Sequence, residues 1–191
     1  AQHSASVPLQ GGADYRWQVQ CQGQSDQNHS FSVAQHLEYR SDGRSGPAHV
    51  ANNRGLPGTD GGQVVARLAR DQDGMHLFIQ EGRKRLHYLF CEPGMRFLIS
   101  ARGGNGGDGG DGYYGFRYHF EGYDGGAAGY GGRVEVWTGS APWRDYLDVD
   151  VRPGVAGKGG AGLSVGTTTW PSGRPGTPGQ PGQVITRISD D

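Results

Sequence analysis

The amino-acid sequence predicts an all-β protein: an N-terminal antiparallel β-sandwich or curled sheet, followed by a bundle of polyglycine-II-like extended helices. Apolar and polar residues alternate in short runs through the first hundred residues, which is typical of half-buried strands. After Ala101 the period changes from two to three, because glycine recurs at every third position. No segment has the 3.6-residue apolar period of an amphipathic helix.

The strands of the first half are predicted one by one from this alternation. "YRWQVQC" places Tyr15, Trp17, Val19 and Cys21 on one face, and "HSFSVAQ" repeats the pattern. From Gln63 onward, four β-runs are separated by Asp-Gly, Glu-Gly and Pro-Gly turn sequences, which predicts a four-stranded meander. Residues 41–62 are rich in Gly, Asn, Ser and Pro and predict a long loop, so residues 1–101 form the predicted β-domain.

Glycine supplies 37 positions, and 25 of them lie after residue 100. A left-handed helix with three residues per turn needs glycine wherever a neighbouring chain lies too close for a Cβ atom. Backbone groups that cannot pair within such a helix can pair with adjacent helices, which allows a bundle with little apolar core. Four tracts have this period: Gly103 to Gly115, Glu121 to Gly132, Gly154 to Gly162 and Gly173 to Gly182.

The tracts differ in ways that predict their positions. Tract one has two glycine rows and is expected in the interior, whereas tract four has one row beside prolines and is expected at the periphery. Residues 102–183 form the predicted bundle, with an inserted β segment at 133–153 and a C-terminal tail at 184–191. If consecutive tracts run antiparallel, the turn "LSVGTTTWPS" lies beside the loop at residues 113–121.

Charge and composition exclude several classes of partner. The 18 basic residues balance the 19 acidic ones, which argues against a nucleic-acid partner, and no apolar run is long enough for a membrane span. The opening "AQHSASVPLQGG" favours cleavage of an export signal, so a periplasmic, cell-surface or extracellular location is expected. Cys21 and Cys91 are expected to form a disulfide, with two buried free thiols as the alternative.

Several short motifs match catalytic or metal-binding patterns by letter only. "GLSVG" around Ser164 lacks the strand and helix of a nucleophile elbow, and "GKGGAG" lacks the strand-turn-helix unit of a dinucleotide site. "DQDG" from Asp71 begins like a calcium loop, yet a hairpin turn fits the strand that follows. Asp108 and Asp111 can share a cation or simply solubilise the surface. We therefore predict no catalytic residue, metal or cofactor.

The strongest candidate binding region is the loop between tracts one and two, "GYYGFRYHFEGYDGG". Exposed aromatic side chains are common in binding surfaces for glycans and proteins. A small strand that covers the end of the bundle is the alternative, because Phe116, Tyr118 and Phe120 alternate. The predicted binding residues are Tyr113, Tyr114, Phe116, Tyr118, Tyr123 and Trp170.

The Gly-Gly-X and Gly-X-Y tracts resemble the polyglycine-II bundles of snow-flea antifreeze protein and phage tail-fibre tip adhesins. The succession "GGNGGDGGDG", "GVAGKGGAG" and the collagen-like "GRPGTPGQPG" is also similar to exported glycine-repeat proteins of gliding and predatory bacteria. The resemblance covers residues 101–183 and implies an extracellular structural role.

These observations predict a non-enzymatic structural or adhesion protein that recognises a surface polysaccharide or protein. A purely structural subunit of an envelope or motility apparatus is the first alternative, through self-association or packing with other glycine-repeat chains. An ice-binding protein is a further alternative. A glycan hydrolase is the last, with carboxylates among Glu121, Asp124 and Asp145.

Overall fold

The computed structural model describes residues 15–20, 37–47, 54–71, 74–90, 96–114, 120–139 and 142–188. Strands dominate this part of the chain, with one short 3-10 turn at Trp143–Asp145, so the all-β prediction is confirmed. The strands are β1 Tyr15–Gln20, β2 Leu37–Arg40, β3 Gln63–Arg70, β4 Met75–Glu81, β5 Lys84–Phe90, β6 Phe97–Ser100, β7 Arg133–Thr138, β8 Leu147–Asp150, β9 Ser164–Val165, β10 Thr168–Thr169 and β11 Gln183–Ile188.

Two of the sheets form the body of the protein. One has six strands in the order β1-β5-β4-β3-β7-β11, and the other has three in the order β2-β6-β8. The predicted four-stranded meander is present only as the three antiparallel strands β3-β4-β5, because β6 belongs to the other sheet and pairs with β2 and β8. The expectation of a purely antiparallel domain is wrong, because β1-β5, β3-β7, β7-β11, β2-β6 and β6-β8 are parallel pairs. Parallel neighbours cannot be joined by a tight turn, so long connections must link them.

The core lies between these two sheets. Strands β3, β4 and β7 alternate buried and more exposed positions, so each turns one face inward. Phe97, Ile99 and Leu147 of the three-stranded sheet are 0%, 0% and 2% exposed, and they belong to the same cluster as the inward residues of the larger sheet. The remaining buried members of that cluster are Tyr39, Val64, Ala66, Leu68, Met75, Leu77, Ile79, Tyr88, Ala101, Val134, Val136 and Trp143.

Three long excursions connect the two sheets. Strands β2, β6 and β8 each continue into an outgoing segment, and β3, β7 and β11 each follow a returning segment. Tracts one to four supply only four of these segments, because residues 41–47 and 54–62 form the first pair. The outgoing segments are 41–47, 101–112 and 151–163, and the returning segments are 54–62, 120–132 and 170–182.

Backbone hydrogen bonds at every third residue join the segments. Gly126, Gly129 and Gly132 donate to the carbonyls of Gly107, Gly104 and Ala101, so tracts one and two run antiparallel as predicted. Outgoing segments are parallel to one another, since Gly106 and Gly109 donate to Val155 and Lys158. Returning segments are parallel too, since Gly122 and Gly125 donate to Pro171 and Arg174. The excursions therefore stack side by side, in the same order as the strands that they join.

The predicted positions of tracts one and four are confirmed. Segment 101–112 bonds to segments 41–47, 54–62, 120–132 and 151–163, whereas segment 170–182 bonds to two. Gly104, Gly107 and Gly110 are buried, and every residue of 170–182 is exposed or half-buried. A Cβ atom at Gly104 would lie 2.0 Å from the Arg44 carbonyl oxygen, so close packing requires glycine there.

Two sequence expectations about connections differ from the structure. The described parts of the expected loop at 41–62 are hydrogen-bonded segments of the stack, and their glycines 43, 46, 55, 58 and 61 continue the period of three. The expected tail at 184–191 contains most of β11, which pairs with β7. The domain boundaries stay predictions, and Cys21 and Cys91 lie outside the described residues.

Candidate functional site

Tyr114, Phe120 and Trp170 form an aromatic cluster in the second and third excursions, away from the two sheets of the sandwich. The rings of Phe120 and Trp170 stack with centroids 4.5 Å apart and planes at 20°, and the Tyr114 ring lies 6.3 Å from Phe120. Tyr114 is 70% exposed. The chain brings these rings together because Tyr114 follows segment 101–112, Phe120 begins segment 120–132, and Trp170 begins segment 170–182.

The short hairpin β9-β10 supports this cluster. Gly166 occupies its turn with φ of +60°, a conformation that favours glycine. At its base, Trp170 donates from its backbone N–H to the Leu163 carbonyl, and the Leu163 N–H donates to the Phe120 carbonyl. The predicted approach of the "LSVGTTTWPS" turn to the aromatic loop is therefore confirmed.

The other predicted binding residues are placed differently. Tyr113 and Tyr123 are half-buried, and the backbone of Tyr123 is tied to Gly110 and Gly160 within the stack. Phe116 and Tyr118 lie outside the described residues. Phe120 was absent from the predicted binding residues, although it contacts both Tyr114 and Trp170. Its alternation with Phe116 and Tyr118 was the available signal.

A repeated contact explains the acidic residues of the glycine tracts. Gly109 donates to the Lys158 carbonyl, and Lys158 donates its N–H to Oδ1 of Asp108 at 2.7 Å. The dipeptide Asp108-Gly109 thus hydrogen-bonds to both the backbone N–H and the backbone C=O of Lys158, which lies on the parallel neighbouring segment. We call this arrangement an Asx-Gly clamp. It recurs at Asp42-Gly43, Asp60-Gly61, Asn105-Gly106, Asp111-Gly112 and Asp124-Gly125, and with serine at Ser45-Gly46.

The clamps give Asp108 and Asp111 a role that neither sequence interpretation contained. Each Oδ1 accepts a hydrogen bond from an outward-facing backbone N–H of the neighbouring segment. The carboxylate therefore supplies the acceptor that this N–H group needs. Three residues of extended chain span about 10 Å, which is too far for one cation to bridge both carboxylates directly. Within the described ranges, no group of three or more His, Cys, Asp and Glu residues has a geometry suited to a metal ion.

The catalytic patterns do not become catalytic arrangements. Ser164 lies in the exposed hairpin, and its hydroxyl contacts Thr169 Oγ1 at 3.2 Å. In "GKGGAG", Gly157 and Gly160 use their N–H groups on the Gly126 and Tyr123 carbonyls. The predicted turn after Asp71 is confirmed, because Asp71 and Gly74 exchange two hydrogen bonds.

Carboxylates on the outside of β8 are the other arrangement with acid-base potential. Asp148 and Asp150 line a shallow groove of about 430 Å³ together with Leu98, Val149, Val151, Arg152 and Pro181. Arg96 pairs with Asp148, and Arg152 hydrogen-bonds to Asp150 and lowers the pKa of that carboxyl. The lowered pKa of Asp150 is the opposite of what a general acid requires.

The fold and the cluster define an all-β protein with a β-sandwich body and a stack of glycine segments that carries aromatic side chains at its end. Comparison with known protein families, curated proteins and solved structures found no match. None of the described residues belongs to a helix that is long and apolar enough to cross a membrane.

Proposed function

We propose that the outgoing and returning segments form a polyglycine-II-like bundle. Three features support this assignment: hydrogen bonds at every third residue, exposure that repeats every third residue through segment 101–112, and glycine at the closest approaches. At about 3.1 Å per residue, the longest segments reach roughly 40 Å beyond the sandwich. The bundle is a stiff spacer, because each segment is fixed to its neighbours along its length.

We propose further that this is an exported, non-enzymatic protein of the cell surface or extracellular space, and that the aromatic cluster binds a glycan or protein. The observation that carries the proposal is the exposed Tyr114, held beside the Phe120-Trp170 stack at the end of the spacer. Aromatic rings stack on the apolar faces of sugars, and a tyrosine hydroxyl can hydrogen-bond to their hydroxyl groups.

A binding assay on glycan arrays and whole cells tests this function. Tyr114→Ala combined with Trp170→Ala is expected to abolish binding. Tyr130→Ala is the matched control, because Tyr130 is 52% exposed but lies on the side of the stack near β7. Equal binding by the double variant and the control would show that the aromatic cluster is not the adhesive surface, leaving a purely structural subunit as the better assignment.

A further inference from the structure

A row of planar side chains crosses the outer face of the six-stranded sheet, on the sandwich rather than at the end of the bundle. It consists of His87, Phe78, Arg67, Trp137 and Arg187, and we call it the planar row. Each member stands opposite the next in the strand register, from β5 through β4, β3 and β7 to β11. Four interstrand steps of about 4.8 Å give the row a length of roughly 19 Å.

The planar row contains two stacked groups, Phe78 with His87 and Trp137 with the two arginines. The rings of Phe78 and His87 are 4.2 Å apart with planes at 5°, and the guanidinium groups of Arg67 and Arg187 lie 5.4 Å and 5.8 Å from the Trp137 ring. The Phe78-His87 distance is close to the strand spacing, so these planes stand upright on the sheet and present their edges to solvent. Phe78 is 42% exposed, although it is large and apolar.

The surface around the row is positively charged. Arg67, Arg85, Arg133 and Arg187 lie on this face, and the acidic residues beside them are Glu135 and Asp71, which pairs with His76. Glu135 is engaged by Arg133 at 3.0 Å and by Arg187 at 3.1 Å. Arg67 and Arg85 are exposed, and no carboxylate in the described part of the chain forms an ion pair with either one. This local excess contrasts with a net charge of -1 for the whole chain.

We propose that the planar row binds an acidic polysaccharide. The unpaired guanidinium of Arg67 can form two parallel hydrogen bonds with a carboxylate or sulfate group, while the exposed edge of Phe78 offers apolar contact to sugar C–H groups. An extended, linear anion can follow the row across the strands. This site lies beyond the proposed function, because it is separate from the aromatic cluster and does not depend on it.

The geometry favours a polysaccharide over a single-stranded nucleic acid. Nucleic-acid sites of that kind stack bases on free aromatic faces and have strongly basic surfaces. Here the facing sides of Phe78 and His87 cover each other. The charged residues around the row also include an acid, Glu135, so the surface is not strongly basic. The chain as a whole has a pI of about 6.7.

Affinity electrophoresis and titration calorimetry on the full chain test the proposal with four polymers. Polygalacturonate supplies carboxylates, dextran sulfate supplies sulfates, neutral dextran is the uncharged control, and oligothymidylate represents nucleic acid. We expect binding of polygalacturonate or dextran sulfate and none of neutral dextran. Arg67→Gln is expected to weaken the interaction about tenfold, since charge-assisted hydrogen bonds are lost.

Two further variants separate this site from general charge effects and from the bundle end. Arg174→Gln removes an exposed arginine from segment 170–182 and is expected to bind within twofold of the unmodified chain. Arg67→Lys keeps the charge without the planar fork and is expected to give an intermediate loss. The proposal is overturned if neither acidic glycan binds, if Arg67→Gln matches Arg174→Gln, or if oligothymidylate binds more tightly.

Discussion

Replacing Gly107 by alanine tests the close packing of the stack directly. Gly107 is buried in segment 101–112, and an added Cβ atom would lie 2.1 Å from the Pro47 carbonyl oxygen. A normal carbon-to-oxygen contact is about 3.3 Å, so the two segments would have to separate by about 1.2 Å. That shift would also weaken the bonds that Gly107 makes with Leu56 and Gly126.

The magnitude follows from these two losses. Overpacking of a tight interior costs about 1–3 kcal/mol, and each weakened backbone hydrogen bond contributes about 0.5–1.5 kcal/mol. We therefore expect Gly107→Ala to lower the free energy of unfolding by about 4 kcal/mol. At roughly 2–4 °C per kcal/mol for a chain of this size, the Tm should fall by roughly 8–16 °C.

Thermal and urea denaturation followed by circular dichroism measure this change, with Gly139→Ala as the control. A Cβ atom at Gly139 would meet nothing within 4 Å, so its replacement should leave stability unchanged or raise it slightly. If Gly107→Ala is as stable as Gly139→Ala, segments 41–47 and 101–112 are not packed as described, and the argument for a closely packed bundle fails.

Three further predictions concern the clamps and the β-sheet. Asp108→Ala should lower the free energy of unfolding, measured by urea denaturation, by about 1 kcal/mol because the Lys158 N–H loses its acceptor. Asp108→Asn keeps the acceptor oxygen and should retain most of that stability. Ala127→Asp should raise the free energy of unfolding by about 0.5–1.5 kcal/mol. Ala127 occupies the acidic position of a clamp, and the described residues give the Thr177 N–H no acceptor, so the new carboxylate can accept its hydrogen bond. Burial and the neighbouring His76 lower the pKa of His87 to about 4, against the attraction of Asp71. Between pH 6.5 and 4 the unfolded chain therefore binds a proton at His87 that the folded chain does not. The free energy of unfolding should fall by about 1–2 kcal/mol over this range, a figure reduced because His87 is partly exposed. A pH titration of the Tm should show this fall, and His87→Leu should reduce it.

The local period of the chain is enough to predict several of the strands and one interior tract. Alternation from Gln63 onward predicted the strands of the β3-β4-β5 meander, and the double glycine row predicted that segment 101–112 lies in the interior. Both are properties of neighbouring residues, because a strand repeats every two residues and a three-fold helix every three. The aromatic cluster was predicted in part for the same reason, since antiparallel tracts place their turns at alternate ends.

The pairing of distant segments was decided by the tertiary structure alone. The parallel sheet β2-β6-β8, the segments at 41–47 and 54–62, and the opposition of Arg67 to Trp137 all depend on backbone hydrogen bonds between residues far apart in sequence. Likewise, the role of Asp108 becomes apparent only when the structure places the N–H of Lys158 opposite its carboxylate. The sequence by itself determined which segments could extend and pack closely. The tertiary structure decided which segments became neighbours, because each backbone N–H pairs with a carbonyl from a segment that is distant in sequence.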